Sequence, residues 1–337
     1  MGKLGKEFGI GKKGKISIAI EKPSYIAGEI VRGTIYVSAF EPIQCDAVVL
    51  KATGKEKVSW SEEVGIDEPV VEEHEREQEF FKEKVVICAF PHTLEAGEYS
   101  YPFQYQLPPT LPGVFSMERY SSMSISNLKA SITYKFKATF DVGGYYAKDL
   151  KAKTHLVVHE QLTQSIRPSQ DSTTQSVNWL CCFNKGTLTL SVAMDKNVYF
   201  PGETAQINCQ IANNSEVEIS AMHCHLYQDI TLQLAYGPQT FERKIAEATF
   251  PGVPAKTTAN QPQPLLLAPT LEGGVMNPST TGTIIQCAYR VEIECDIPWC
   301  PDVQLHLPVT IIAPAVPDPM YMAPPTAGYV APVPSSV

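Results

Sequence analysis

No stretch of this 337-residue chain is apolar for long enough to cross a bilayer as a helix, which takes about 20 consecutive residues. Nor do residues 1–8 lead into an apolar run of the kind that marks a secretory leader. A soluble, intracellular protein is therefore expected. Basic charge is also in short supply: Lys and Arg number 27 against 36 Asp and Glu, for a net charge of −9. That balance excludes a nucleic-acid partner, because neutralising phosphates needs a dominant basic face. The nine cysteines are odd in number and lack an extracellular context. They read as thiols that pack or react, and not as a disulfide framework. Long amphipathic helices are missing, and so are Gly-x-Ser-x-Gly, His-Glu-x-x-His and any Cys/His pair in catalytic surroundings. No enzymatic reaction, catalytic residue, cofactor or metal is expected.

What is present is alternation with period two. Tyr101, Phe103, Tyr105 and Leu107 fall on one face; Ile132, Tyr134, Phe136, Ala138 and Phe140 alternate with Thr133, Lys135, Lys137 and Thr139. Further on, Met222, Cys224 and Leu226 alternate with His223, His225 and Tyr227, and Val291, Ile293, Cys295 and Ile297 with Glu292, Glu294 and Asp296. One dry and one wet face per strand is the pattern of antiparallel sheets packed as sandwiches. It places Cys209 and Cys295 on inward positions, as small buried hydrophobes.

The chain is also duplicated. Tyr25, Gly28 and Glu29 recur 174 positions later as Tyr199, Gly202 and Glu203, each time between a period-two strand and a new one. The glycine suits a turn residue with positive φ. These six residues are read as structural turn positions, and two like β units in tandem as an all-β protein of two immunoglobulin-like sandwiches. The alternation lapses over 161–184 into a polar interval suited to a linker. Beyond 313 come Pro314, Pro317, Pro319, Pro324, Pro325, Pro332 and Pro334, a composition that favours extended PPII and a disordered tail. The expected organisation is a sandwich over 1–160, a linker over 161–184, a sandwich over 185–313 and a Pro-rich C-terminal tail over 314–337.

Four blocks carry a family resemblance. They are the Tyr25/Gly28/Glu29 turn with residues 33–37, the Gly- and Tyr-rich block 97–108 with Leu111 and Pro112, the block from Leu180 to Phe183 with Gly186, the second turn and residues 211–215, and Tyr289 to Val291 leading to residues 305–309. In order and spacing the chain resembles an arrestin, most closely an alpha-arrestin, with arrestin N-like and C-like domains. One departure is the long, Ser-rich stretch 117–129. The resemblance implies a non-catalytic cytoplasmic adaptor, recruited to plasma membrane or endosomes, that binds membrane-protein cargo and links it to WW-domain ubiquitin ligases or sorting machinery. Other roles of the fold stay open, namely a retromer-like coat subunit and a phospho-receptor-binding arrestin. The alpha-arrestin coupling element is a short Pro/Tyr motif in the tail. Its nearest match here is Pro319 and Tyr321 preceded by Pro317, with Asp318 in place of the leading proline; proline pre-sets PPII and tyrosine anchors the groove.

Several local signals have competing readings. Residues 9–14 match Gly-x-Gly-x-x-Gly, but a strand and not a helix is expected to follow, so a phosphate-cradling loop lacks its context. Lys12, Lys13 and Lys15 are candidate phosphate or anion contacts, by the arrestin resemblance, and an anionic membrane surface is a further candidate partner; ordinary solvation explains the same lysines. Gly2 is available for myristoylation, although Lys6 stands where Ser or Thr is preferred. The acidic run over 62–79 occupies roughly the place of a long receptor-inserting loop of the family, and a solvated charge run is the plain alternative. His223 and His225 share a strand face, but two ligands do not complete a structural zinc set. Cys181 and Cys182 read as interdomain packing with Trp179. Ser335 to Val337 fits a class I PDZ ligand.

Overall fold

The computed structural model describes residues 9–11, 13–64, 70–120, 125–142, 145–179, 183–271 and 276–313, and among these there is no helix. Hence no helix is long and apolar enough to cross a membrane. The Pro-rich tail, with Pro317, Pro319 and Tyr321, lies outside the described residues, as do Gly2, Lys12, Cys181 and Cys182.

The N-terminal sandwich is built from β1 (Gly14–Ile20), β2 (Ile30–Ala39), β3 (Ala47–Val64), β4 (Val70–Ala89), β5 (Gly97–Gln106), β6 (Phe115–Tyr120), β7 (Ile125–Val142) and β8 (Tyr145–Leu156). One sheet runs β1, β2, β5, with Gly9–Gly11 on the outer edge of β1. The other runs β4, β3, β7, with β6 and β8 both on the far side of β7. Period-two patterning places Ile16, Val31, Ile35, Leu50, Phe103, Tyr134, Phe136 and Phe140 between the sheets, all buried. Each such side chain contributes about 1.5–3 kcal/mol on leaving water, and a one-residue register slip would turn the whole set outward.

The C-terminal sandwich repeats the layout with β9 (Ser169–Trp179), β10 (Phe183–Met194), β11 (Ile207–Asn213), β12 (Ile219–Leu234), β13 (Gly237–Val253), β14 (Thr257–Pro262), β15 (Ile285–Asp296) and β16 (Val303–Ile311). Its sheets run β9, β10, β11, β14 and β16, β15, β12, β13. Cys209, Cys224 and Cys295 are fully buried in its core. Burial pushes the thiols of Cys209 and Cys295 up to about 12.

Two expectations from the sequence are corrected by the strand pairing. The polar interval over 161–184 is not linker throughout: Ser169–Trp179 forms β9 and pairs with β10 from Ser169 opposite Met194 to Trp179 opposite Phe183. It escapes a hydrophobic-periodicity reading because only Val177 of its described side chains is buried. Its stability comes from main-chain pairing and polar cross-strand contacts, Ser172 Oγ to Ser191 Oγ at 2.7 Å and Thr174 Oγ1 to Thr189 Oγ1 at 2.9 Å. The acidic run over 62–79 is likewise not a long loop. Its described residues, 62–64 and 70–79, lie at the ends of β3 and β4, paired residue for residue from Val64 opposite Val70 inward. The Ser-rich 117–129 stretch also contributes strand residues, in β6 and at the start of β7.

Candidate interaction surface

The two repeated turns have the same construction. Gly28 and Gly202 both have φ of +87°, a conformation that glycine adopts without strain. The carboxylate of Glu29 accepts from the Ile26 N–H at 3.0 Å, and that of Glu203 from the Phe200 N–H at 2.9 Å. Tyr25 and Tyr199 are buried beneath them. Lys22 pairs with Glu29 at 3.5 Å and Lys196 with Glu203 at 2.9 Å. In each domain the tyrosine's segment also pairs in parallel with a segment late in that domain, Tyr25 with Val158 and Tyr199 with Ile311.

Where the sandwiches meet, β3 inserts Glu56 into the loop ahead of β15. The Glu56 side chain is fully buried, and its carboxylate accepts the backbone N–H groups of Thr283 at 2.9 Å, Ile284 at 3.0 Å and Ile285 at 3.2 Å. Burial raises the pKa of this carboxyl and the three donors pull it back, burial being the larger effect. Beside it, Glu160 accepts from the Thr280 hydroxyl at 3.0 Å and the Thr281 N–H at 2.6 Å, while the Gly113 N–H donates to Thr280 Oγ1 at 2.6 Å. These charge-assisted contacts join residues about half the chain apart and fix one sandwich on the other. A cleft of about 370 Å³ opens along the same seam, with Ile26, Leu162, Phe200 and Ile312 on its walls.

The outward face of the N-terminal domain's second sheet carries most of the exposed charge, divided in two. Toward the tip of the β3–β4 hairpin, lysines of β3 meet glutamates of β4: Lys55 with Glu77 at 2.6 Å and Lys57 with Glu75 at 2.7 Å. Glu75 and Glu77 of the acidic run therefore have lysine partners across the hairpin. At the base, Lys84 of β4, Lys51 of β3, Lys137 of β7 and Lys153 of β8 stand directly opposite one another in a single row. Like charges in cross-strand register are destabilising, and strand spacing of about 4.8 Å makes the row about 14 Å long. Lys82, Lys135 and Lys151 flank it. The pKa of Lys137 is lowered by burial and then by Lys151, Lys153 and Lys51. Lys84 reaches Asp141 at 2.5 Å. In a chain of net charge −9 this is a local concentration of cations.

The lysines singled out from sequence lie elsewhere. Lys15 is exposed on the outward side of β1, in the other sheet, 5.8 Å from the centre of the Phe40 ring. Lys13 sits in the turn before it. The Gly-rich segment forms an antiparallel hairpin, Gly9 opposite Ile16 and Gly11 opposite Gly14, so no helix N-terminus faces it. The lysine row escapes a sequence reading because each strand contributes a single lysine to it, and their alignment depends on the register of four strands.

Comparison with known proteins agrees with this architecture. Residues 14–163 match the N-terminal domain of arrestin (or S-antigen), and residues 184–316 its C-terminal domain. The chain is 29% identical over 312 residues to Arrestin domain-containing protein A of Dictyostelium discoideum, covering 90% of this chain and 52% of that protein. It is 22% identical over 301 residues to Arrestin domain-containing protein B of the same organism, covering 87% of this chain and 45% of that protein. It is also 22% identical over 291 residues to human Arrestin domain-containing protein 5, covering 82% of this chain and 80% of that protein. The chain thus spans about half the length of the two Dictyostelium relatives. With two sandwiches of one topology, each opening on the same Tyr/Gly/Glu turn, the chain belongs to the arrestin family, among the arrestin domain-containing proteins.

Proposed function

We propose that this protein is a non-catalytic adaptor of membrane-protein trafficking. Its arrestin domains hold a membrane-protein cargo, and Pro317, Pro319 and Tyr321 bring a WW-domain ubiquitin ligase or sorting machinery to it. The proposed location is the cytoplasm, with recruitment to plasma membrane or endosomes. Arrestin-domain proteins are generally adaptors, which supports the outline. The observation that carries the membrane side is the row Lys84, Lys51, Lys137 and Lys153 on the flat outward face of a sheet. A basic residue close to an anionic leaflet contributes about 1 kcal/mol, an attraction that fades within a Debye length. Placed against the leaflet, this face offsets the repulsion within the row and sets the orientation in which cargo is met.

The test is flotation with vesicles containing phosphatidylserine. The intact chain floats with anionic and not with neutral vesicles, and binding weakens as salt rises. Changing Lys51, Lys137 and Lys153 to Glu abolishes it at unchanged thermal stability. Equal flotation of the triple variant would exclude this face from membrane binding.

A further inference from the structure

A histidine–glutamate cluster crosses the outward face of the C-terminal domain's second sheet. From sequence, His223 and His225 lack further ligands; the register of β12 with its neighbours supplies them. His225 stands opposite Glu247 of β13 on one side and Glu292 of β15 on the other, and Glu292 stands opposite His306 of β16. His225 and Glu292 are only 4% and 6% exposed although they face outward. Their surroundings determine which nitrogen of His225 carries the proton. Nδ1 lies 3.2 Å from the Glu292 carboxylate, which can only accept, so Nδ1 bears the hydrogen. Nε2 lies 3.3 Å from the Lys244 ammonium and 3.4 Å from a Glu247 carboxylate oxygen, so it faces outward between a cation and an acceptor. The second Glu292 oxygen is 3.3 Å from His306 Nδ1, so both oxygens of the orienting carboxylate are engaged.

Such an arrangement prepares an imidazole to bind a metal: one nitrogen donates to a buried carboxylate, which fixes the ring, and the other faces outward. The outward nitrogen has company. Glu247 Oε1 lies 3.4 Å from His225 Nε2 and 3.9 Å from His223 Nδ1. The two imidazole rings are stacked at 5.8 Å and 15°, and donor atoms of all three residues lie within 4.8 Å of one another. Zinc bonds of about 2.0–2.1 Å place tetrahedral ligand atoms about 3.3 Å apart. The His225–Glu247 pair has that spacing; His223 Nδ1, 3.9 Å from Glu247 Oε1 and 3.2 Å from Thr249 Oγ1, turns from the threonine toward the ion to complete the set. Two imidazoles and a carboxylate favour zinc-class ions over magnesium or calcium. The seat also attracts a cation already: the Lys244 ammonium sits between His225 Nε2 and Glu247, at 3.7 Å from Glu247 Oε2.

We propose that His223, His225 and Glu247 bind a zinc-class divalent ion, with Glu292 as the residue that positions His225 and the Lys244 ammonium as a placeholder that the ion displaces. Three protein ligands leave a fourth position open to water or to a donor from a partner.

The test uses the full chain, freed of metal by chelator, titrated with Zn²⁺ by calorimetry and with Co²⁺ by optical absorption. One ion per chain is expected, with a Co²⁺ spectrum of nitrogen and oxygen ligation and no thiolate charge-transfer band. His225→Ala and Glu247→Gln abolish binding, and Glu292→Gln weakens it by about 10–100-fold, as changes to a ligand's carboxylate partner do. Lys244→Met tightens it, a gain that a misfolded variant would not show. No binding by the intact chain, a thiolate band that places the ion on cysteine, or an affinity unmoved by His225→Ala and Glu247→Gln would each overturn the proposal.

Discussion

Glu56 offers the sharpest test of how the two sandwiches are held. In Glu56→Ala the N–H groups of Thr283, Ile284 and Ile285 lose their shared acceptor. Leaving one buried donor unpaired costs about 1–3 kcal/mol, and hydrogen bonds to a charged group are at the strong end. Three such donors set an upper range, which water entering the vacated space reduces, so a loss of about 3–5 kcal/mol is expected. The loop has little freedom to find another acceptor: a Cβ built on Gly282 would lie only 2.4 Å from Glu56 Oε2, so the backbone wraps the carboxylate closely. Amide hydrogen exchange reads the effect directly. With every 1.4 kcal/mol worth a factor of ten, a loss of 3 kcal/mol lowers protection of these three amides by about 10²-fold. Amides deep in either core, such as those of Ile35 and Leu190, keep theirs. Calorimetry should show the cooperative transition of the intact chain broaden or divide as the domains uncouple. Unchanged exchange at 283–285 together with an unchanged melting temperature would refute the latch.

Glu56 also has a pH signature. Its pKa is raised in the folded state by burial, so between the ordinary carboxylate value and the raised one the native state holds more protons than the unfolded state. Its contribution to stability is therefore greatest below the ordinary value and declines as pH rises through the raised one; Glu56→Gln should lack that segment of the stability profile in chemical denaturation against pH. At the repeated turns, Gly28→Val and Gly202→Val each force a side chain into positive φ, at roughly 1–2 kcal/mol or more. The two should cost about the same, because both have the same φ and a Cβ makes only ordinary contact with Pro109 at Gly28 and meets nothing within 4 Å at Gly202. Melting temperatures unchanged from that of the intact chain, or loss of partners at full stability, would contradict a structural role. The thiols of Cys209 and Cys295, buried and pushed up to about 12, should resist alkylation in the native chain and react only on unfolding, by peptide mass spectrometry.

How much of this was legible in the sequence follows from the range of each interaction. The duplicated Tyr/Gly/Glu turns and the inward positions of Phe136, Cys209 and Cys295 are local, so alternation and turn chemistry expose them, and two tandem sandwiches follow. β9 reads as linker in the sequence because its Ser and Thr side chains form hydrogen bonds across strands and its residues bury almost nothing, which leaves no hydrophobic period. The hairpin carrying Glu72, Glu75 and Glu77 looked like a charged loop for a related reason: the lysines that balance it lie about 20 residues away, on the strand opposite. The lysine row, the Glu56 contact and the His225 cluster each depend on register between strands far apart in the chain, and composition and spacing contain no trace of that.

The adaptor account requires that one chain join a membrane surface to a WW domain, and co-flotation measures that bridge. WW domains from a panel of ubiquitin ligases, mixed with anionic vesicles, should float only when the intact chain is present. Recruitment should be lost on Tyr321→Ala, and again when Lys51, Lys137 and Lys153 are changed to Glu. A WW domain that floats equally with Tyr321→Ala, with the lysine variant or with neutral vesicles would contradict the account.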